Sequence, residues 1–394
     1  MKRRIIAVLL GCSIACLVGE GALRTLCWLR LAPKVCFNRD VAPMALDQID
    51  DLDLLLDTVP LSLHPYQNCH GFILNSKGLR TPEYEVAKPD SVLRVFVIGD
   101  SFAFDSGRLP YPLHFTVLLE DRLAEWLERP VEVINLGQPG VGPRFEQRIL
   151  EIEALPHAAD LVVWLFFVGN DFTEESYQAR DTPWLPERYD WVAIERYLCI
   201  RSYLCRALRN IYTILRYMEE APSSGSAVTV GGIYVGDPKE YDPNQATFDR
   251  NQFLAIQSHR MLVYSEERFP RFNWEAIQDI LREVRDACGE AGVRLLVVIV
   301  PDENQVNDDL LGDVMEWRKW SLGDFEMDYP QRLLVDFFTA EGIHHLDLLP
   351  TFREASREKA LYALRDTHWN HEGNRLAADL IFQYLRTAEE WFAR

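Results

Sequence analysis

Four short polar groups, far apart in the chain, carry the residue types that nucleophilic acyl transfer needs. They are Gly99-Asp100-Ser101, Asn135-Leu136-Gly137-Gln138-Pro139-Gly140, Gly169-Asn170-Asp171 and Asp366-Thr367-His368. A serine hydroxyl is a poor nucleophile until a positioned base takes its proton, and that base needs a third group to orient it. His368 can be the base and Asp366 the orienting carboxylate, with His371 as a competing base. The tetrahedral oxyanion needs donors, which the Ser101 N–H, a glycine N–H and the Asn170 amide could supply. Each residue also has a plain structural reading. Ser101 and Asn170 suit turns and helix caps, and Asp366 suits the acidic start of a helix.

The surrounding pattern decides between these readings. Residues 93–98, 131–136 and 161–168 are short apolar runs rich in β-branched and aromatic residues, which read as buried strands. Each ends at one of the first three polar groups. Helical spacing follows at 111–127 and 143–155, then at 274–291, 329–340 and 372–392, with strands at 293–300 and 344–348. Continuous apolar strands alternating with helices predict a parallel sheet covered on both faces. In such a sheet ligands bind at the carboxyl ends of the strands, where Ser101, the glycine-rich turn and Asn170 all fall.

In this order the four groups resemble the four blocks of the SGNH (GDSL-type) hydrolases, over most of residues 93–390. The resemblance implies a flavodoxin-like three-layer α/β/α sandwich with a mostly parallel sheet. It implies a Ser101, His368 and Asp366 triad, and an oxyanion hole of Ser101, Gly140 and Asn170, with Gly137 the second choice of glycine. It also implies cleavage of acyl esters of lipids, small molecules or carbohydrates, with no cofactor or metal. One block departs from the usual Asp-x-x-His, being one residue shorter at Asp366-Thr367-His368. That form, followed by Trp369, is similar to the membrane-associated branch that includes alginate and other polysaccharide O-acetyltransferases. The leading expectation is an exported, membrane-anchored serine esterase acting on an acyl ester, expected to be acetyl, of carbohydrate or another envelope substrate. The alternatives are an O-acyltransferase acting on an exported polysaccharide, and a catalytically silent binding protein of a polysaccharide assembly complex.

Composition sets outer limits. The 394 residues, 48% hydrophobic and 26% charged, suit a globular enzyme with a sizeable core. A net charge of −19 argues against nucleic acid as a partner, because phosphate binding needs a concentrated basic surface. Residues 1–31 read as a signal anchor, with a cleaved signal peptide as the alternative; 32–92 as an irregular lead-in; and 93–394 as the catalytic domain. The strand–helix rhythm breaks at about 172–272, an aromatic and charged insertion that reads as a lid or substrate platform, or as a structural excursion. Trp184 and Trp191 within it are candidates to stack on sugar rings. Cys36 with Cys69, and Cys199 with Cys205, are possible disulfides in an exported domain. Adjacent residues of a strand face opposite ways, so His344, His345 and Asp347 read as a strand edge rather than metal ligands. Asp302-Glu303-Asn304-Gln305 follows a strand at the functional edge and reads as a substrate contact or a turn.

The N-terminus generates a test of topology. Met1-Lys2-Arg3-Arg4 precedes a charge-free apolar run at 5–19, a basic start that stays on the cytoplasmic side. Periplasm-active reporters fused after Arg394 should therefore be active, and cytoplasm-active ones silent. The opposite pattern would refute export.

Overall fold

The computed structural model describes residues 68–173 apart from 70, 86, 106 and 107, residues 232–392 apart from 268 and 270, and residues 18, 19, 21 and 22. The chain divides into two units. Leu63–Tyr177 with Val228–Arg394 is one of them, and all the described residues except those last four belong to it. The expected membrane segment, the amphipathic stretch at 196–218, Trp184, Trp191, Cys36, Cys199 and Cys205 lie outside the described residues. Among the described residues, no helix is long and apolar enough to cross a membrane.

In chain order the strands are β1 (Asn68–Cys69), β2 (Phe72–Ile73), β3 (Leu93–Gly99), β4 (Val131–Asn135), β5 (Leu161–Phe167), β6 (Ile233–Tyr234), β7 (Arg294–Val300) and β8 (His345–Asp347). The helices are α1 (Ser101–Phe104), α2 (Phe115–Leu127), α3 (Pro143–Ile149), α4 (Arg250–Arg260), α5 (Arg271–Glu290), α6 (Glu303–Val306), α7 (Asp308–Arg318), α8 (Tyr329–Glu341), α9 (Leu349–Ala355) and α10 (His371–Thr387).

The main sheet has the order β4-β3-β5-β7-β8, with every pairing parallel. Counted within the sheet this is 2-1-3-4-5, the flavodoxin-like order, whose ligand crevice lies between the first and third strands. Every residue of β3 and β5 is buried, as continuous apolar runs predict. One face of the sheet, with Val95, Val97, Val163 and Leu165, shares a core with Leu119 of α2, Phe352 of α9 and Ile381 of α10. The opposite face carries Phe96, Ile98 and Trp164, also buried. There the Trp164 indole N–H donates to the Glu146 carboxylate of α3 at 2.5 Å. Helices therefore cover both faces.

Several expectations need adjustment. The helix expected over 111–127 starts at Phe115, because the His114 ring caps it by accepting the Thr116 N–H after a 3₁₀ turn at Tyr111–Leu113. The helix expected over 143–155 widens into a π turn at Leu150–Ala154 and closes with a 3₁₀ turn. Helices α7 and α9 lie where sequence reading assigned none. Cys69 is a buried free thiol packed with Phe72, Leu74 and Phe104, so the Cys36–Cys69 disulfide is not formed.

The lead-in is less irregular than expected. β1 and β2 form a hairpin, and β2 pairs with β6 of the insertion, so two segments read as peripheral make one small sheet. Arg80, 1% exposed, lies behind α1 and donates to the Phe104 carbonyl, the Leu109 carbonyl and the Asp105 carboxylate, the last at 3.0 Å. Burial pushes the Asp105 carboxyl up, and the Arg80 guanidinium opposes that rise. Removing one partner of such a pair strands a buried charge. Arg80→Met should therefore cost about 3–5 kcal/mol of stability, read from the shift in a urea unfolding curve. A loss within error of zero would show the pair to be dispensable.

Candidate active site

Ser101 is the first residue of α1, immediately beyond β3, and Asn170 follows β5 by three residues. These are the two strand ends flanking the switch point of the sheet. Asp100 binds them together. Fully buried, it accepts the Phe102 N–H at 2.8 Å through Oδ1 and the Asn170 side-chain amide at 2.9 Å through Oδ2. Burial raises the Asp100 carboxyl, while these hydrogen bonds and the nearby His368 and Arg260 charges pull it down. In the sequence Asp100 stands only as the middle residue of the Gly-Asp-Ser motif. Its role as the strut for Asn170 emerges only in three dimensions.

In the fourth group Asp366 and His368 are joined directly. Asp366 Oδ1 accepts the His368 ring Nδ1–H at 2.6 Å and the His368 backbone N–H at 3.1 Å. The shortened spacing lets one oxygen meet both, as in an Asx turn. Thr247, from the insertion, donates its hydroxyl to Asp366 Oδ2. Burial alone would raise the Asp366 carboxyl, but the hydrogen bonds from His368 and Thr247 and the His368 charge hold it at about 2. With that carboxylate ionised, the imidazole proton belongs on Nδ1 and the lone pair on Nε2. His368 Nε2 is buried and has no hydrogen-bond partner among the described residues.

Packing ties this pair to Phe102, the residue after Ser101. The ring of Phe102 lies 5.3 Å from the His368 ring, 4.2 Å from that of Phe167 and 5.1 Å from that of Trp369. The segment carrying the pair is fastened at both ends. Ala363 N–H donates to the His368 carbonyl, and Asn370 N–H to the Leu361 carbonyl. Asn370 also caps α10 by accepting the Glu372 and Gly373 N–H groups. A Cβ on Gly373 would stand 2.3 Å from the Leu361 carbonyl oxygen, so only glycine lets the helix approach so closely. His371 is placed elsewhere, with Nε2 3.4 Å from Glu372 and its ring against Tyr241.

The two candidate glycines separate on their surroundings. Gly137 N–H donates to the Asn135 side chain at 2.8 Å, and a Cβ there would lie 2.4 Å from the Phe104 backbone nitrogen. It serves the packing of the β4 loop on α1. Gly140 stands exposed at the far end of that loop, with open space where a Cβ would be. Asp302-Glu303-Asn304-Gln305 is largely spent on packing. Asp302 accepts from Tyr264 and Asn304, Asn304 donates to Gln257, and Gln305 exchanges hydrogen bonds with Gln331. His344, His345 and Asp347 turn to separate partners: Tyr384, the Ile343 carbonyl and the Leu349 N–H. Among the described residues, no group of histidine, cysteine or carboxylate side chains is arranged to hold a metal ion.

Residues 260–393 match the family described as ALGX: SGNH hydrolase-like domain, acetyltransferase AlgX. The chain is thus similar to the SGNH-type proteins and to the acetyltransferase branch that its last block resembles. Solved structures with some likeness include a two-domain esterase (CEX) active on acetylated mannans, at 12% identity and a TM-score of 0.39, covering 75% of this chain and 49% of that one. This chain therefore spans about half of that esterase. Others are the acetyl xylan esterase AlAXEase, at 11% identity, 74% and 98% coverage and a TM-score of 0.39, and a lipase/acylhydrolase from Enterococcus faecalis, at 14%, 75% and 96% and 0.36. No curated protein matches the chain.

The Asp366 carboxyl has a measurable signature. Its folded value of about 2 lies below the ordinary value of about 3.9. The ionised group therefore stabilises the fold in full above that ordinary value, and the contribution is lost as pH falls toward 2. The stability gap between the native chain and Asp366→Asn should be larger at about pH 5 than at about pH 2.5. Equal gaps by chemical denaturation would refute the hydrogen-bonded, ionised state.

Proposed function

We propose that the chain is a serine acyl-transfer enzyme that opens an ester, expected to be acetyl, on a carbohydrate or another envelope substrate. Ser101 is the nucleophile, His368 the base and Asp366 the group that orients it. The observation that carries this reading is the buried, unpartnered His368 Nε2, on a ring that Asp366 holds at Nδ1 and that packs against Phe102, the residue after Ser101.

In the reaction, Ser101 Oγ attacks the ester carbonyl carbon as its proton passes to His368 Nε2. The oxyanion is met by the Asn170 amide and by the N–H groups of Ser101 and Gly140. Collapse expels the alcohol, which takes the proton from His368 and leaves an acyl-serine. Water, activated by the same histidine, then releases the acid and restores the serine. A membrane anchor at residues 1–31, with the catalytic domain outside the cytoplasm, is part of this proposal. The match over 260–393 favours a second reading, in which a sugar hydroxyl replaces water and the product is an acylated polysaccharide.

A fluorophosphonate probe should label Ser101, and Ser101→Ala should abolish both labelling and p-nitrophenyl acetate turnover. His368→Ala should cost nearly as much, because triad members act as a unit. Asn170→Ala should lower the rate by about 10²–10³, the usual effect of losing one oxyanion donor. Turnover undiminished in Ser101→Ala would reject the nucleophile, and a native chain that neither labels nor turns over would favour a silent binding protein. With an acyl donor and glycan oligomers both present, mostly free acetate supports hydrolysis and mostly acylated glycan supports transfer.

A further inference from the structure

A cleft of about 410 Å³ opens beside the site, within the size range of small-molecule sites. Its walls come from four separate segments: Gly71 of the β1–β2 hairpin, Arg108 and Pro110 beyond α1, the insertion from Tyr234 to Gln245, and Ala363. Two of these segments adjoin the elements that carry the candidate site. Arg108 lies on the loop leaving the helix that begins with Ser101. Ala363 donates its N–H to the His368 carbonyl at 3.0 Å. Tyr241 closes the same end, with its ring 5.8 Å from that of His371. The Asp366 and Asp105 charges also bear on its hydroxyl.

The lining has a definite chemistry. Tyr234 and Tyr241 offer aromatic surface, and Gly71 and Gly236 approach so closely that a Cβ on Gly71 would stand 2.7 Å from the Gly236 Cα. That leaves a stretch of wall as bare backbone. Asp237, Glu240 and Asp242 add three exposed carboxylates. Asp237 and Asp242 each spend one oxygen on a local backbone N–H, of Lys239 and Asn244. Among the described residues of the lining Arg108 is the one cation, and its guanidinium donates to the Gln245 carbonyl at 3.1 Å. Aromatic faces with carboxylate acceptors suit a ring that presents C–H on one side and hydroxyl or ammonium donors at its edge. Three carboxylates outnumber the one guanidinium of the lining, and their net negative charge repels a carboxylated ligand at close range.

We propose that this cleft binds the saccharide part of the ester, and that it takes a neutral or amino-bearing glycan and not a polyuronate. The inference rests on the acyl-serine reading for the meaning of the neighbouring site, but its own test needs no catalysis. The selection is electrostatic: the carboxylates accept from sugar hydroxyls and exclude uronates, and Tyr241 supplies a stacking face at the end beside His371.

The test uses the full chain carrying Ser101→Ala, titrated calorimetrically with xylopentaose, a glucosamine pentamer and a galacturonate pentamer. At low salt the neutral or amino oligomer should bind about tenfold or more tightly than the uronate, with the difference narrowing at high salt as the charges are screened. Tyr241→Ala in the same background should weaken binding of the favoured oligomer by about tenfold. Because Glu240 is exposed, Glu240→Gln combined with Asp237→Asn should leave the fold intact, and it should improve uronate binding. Uronate binding as tight as the others, indifference to Tyr241→Ala, or no binding by any of the three would each overturn the proposal. None of these outcomes touches the acyl-serine reading, which stands or falls on probe labelling of Ser101.

Discussion

The geometry of the site depends on one buried carboxylate. Asp100 has no access to solvent, and an unsatisfied acid there would be costly. It is satisfied by reaching forward to the Phe102 N–H, in the first turn of α1, and sideways to Asn170, the last residue of the turn after β5. The same two hydrogen bonds therefore set the direction of the helix that Ser101 opens and the direction in which Asn170 points. β3 and β5 are neighbours in register, with Gly99 opposite Leu165, so Asp100 and Asn170 are brought within reach by the parallel ladder itself.

The second half of the site is imported from the far end of the chain and needs its own scaffold. Residues 361–370 carry no long element, only a bridge between Tyr362 and Trp369 and the hydrogen bonds that Asn370 distributes around it. What fixes the loop in space is aromatic packing. Trp369 lies against Phe102, Phe115 and Phe352, drawn from α1, α2 and α9. His368 is held against Phe102, the residue after Ser101, because its own neighbour Trp369 is a core residue.

The outer wall comes from segments that are not part of the main sheet. The lead-in sends Arg80 behind α1 and lays β2 against β6. The insertion sends Thr247 to the second oxygen of Asp366, and its Thr247 and Phe248 N–H groups donate to the Leu364 and Arg365 carbonyls. The Asp366 carboxylate is thus held from two directions, by His368 and by the chain that forms the wall of the neighbouring cleft. Residues 241–248 connect that wall mechanically to Asp366.

Much of this was legible in the sequence. The strands ending at Ser101, Asn135 and Asn170 could be read because a strand buried on both faces must be a continuous apolar run, and because the polar groups that interrupt it can survive only at its end. The pairing of Asp366 with His368 was legible for a local reason, since two residues so close in the chain can meet without help from the fold. Tertiary structure decided what depends on distant partners. It spent Asp302, Asn304 and Gln305 on packing and committed Gly137 to α1. It turned the lead-in and insertion into one small sheet. It gave Asp100 and Thr247 their roles, which no local pattern marks, because a hydrogen bond between residues 70 or 119 positions apart exists only once the sheet has brought its strand ends together.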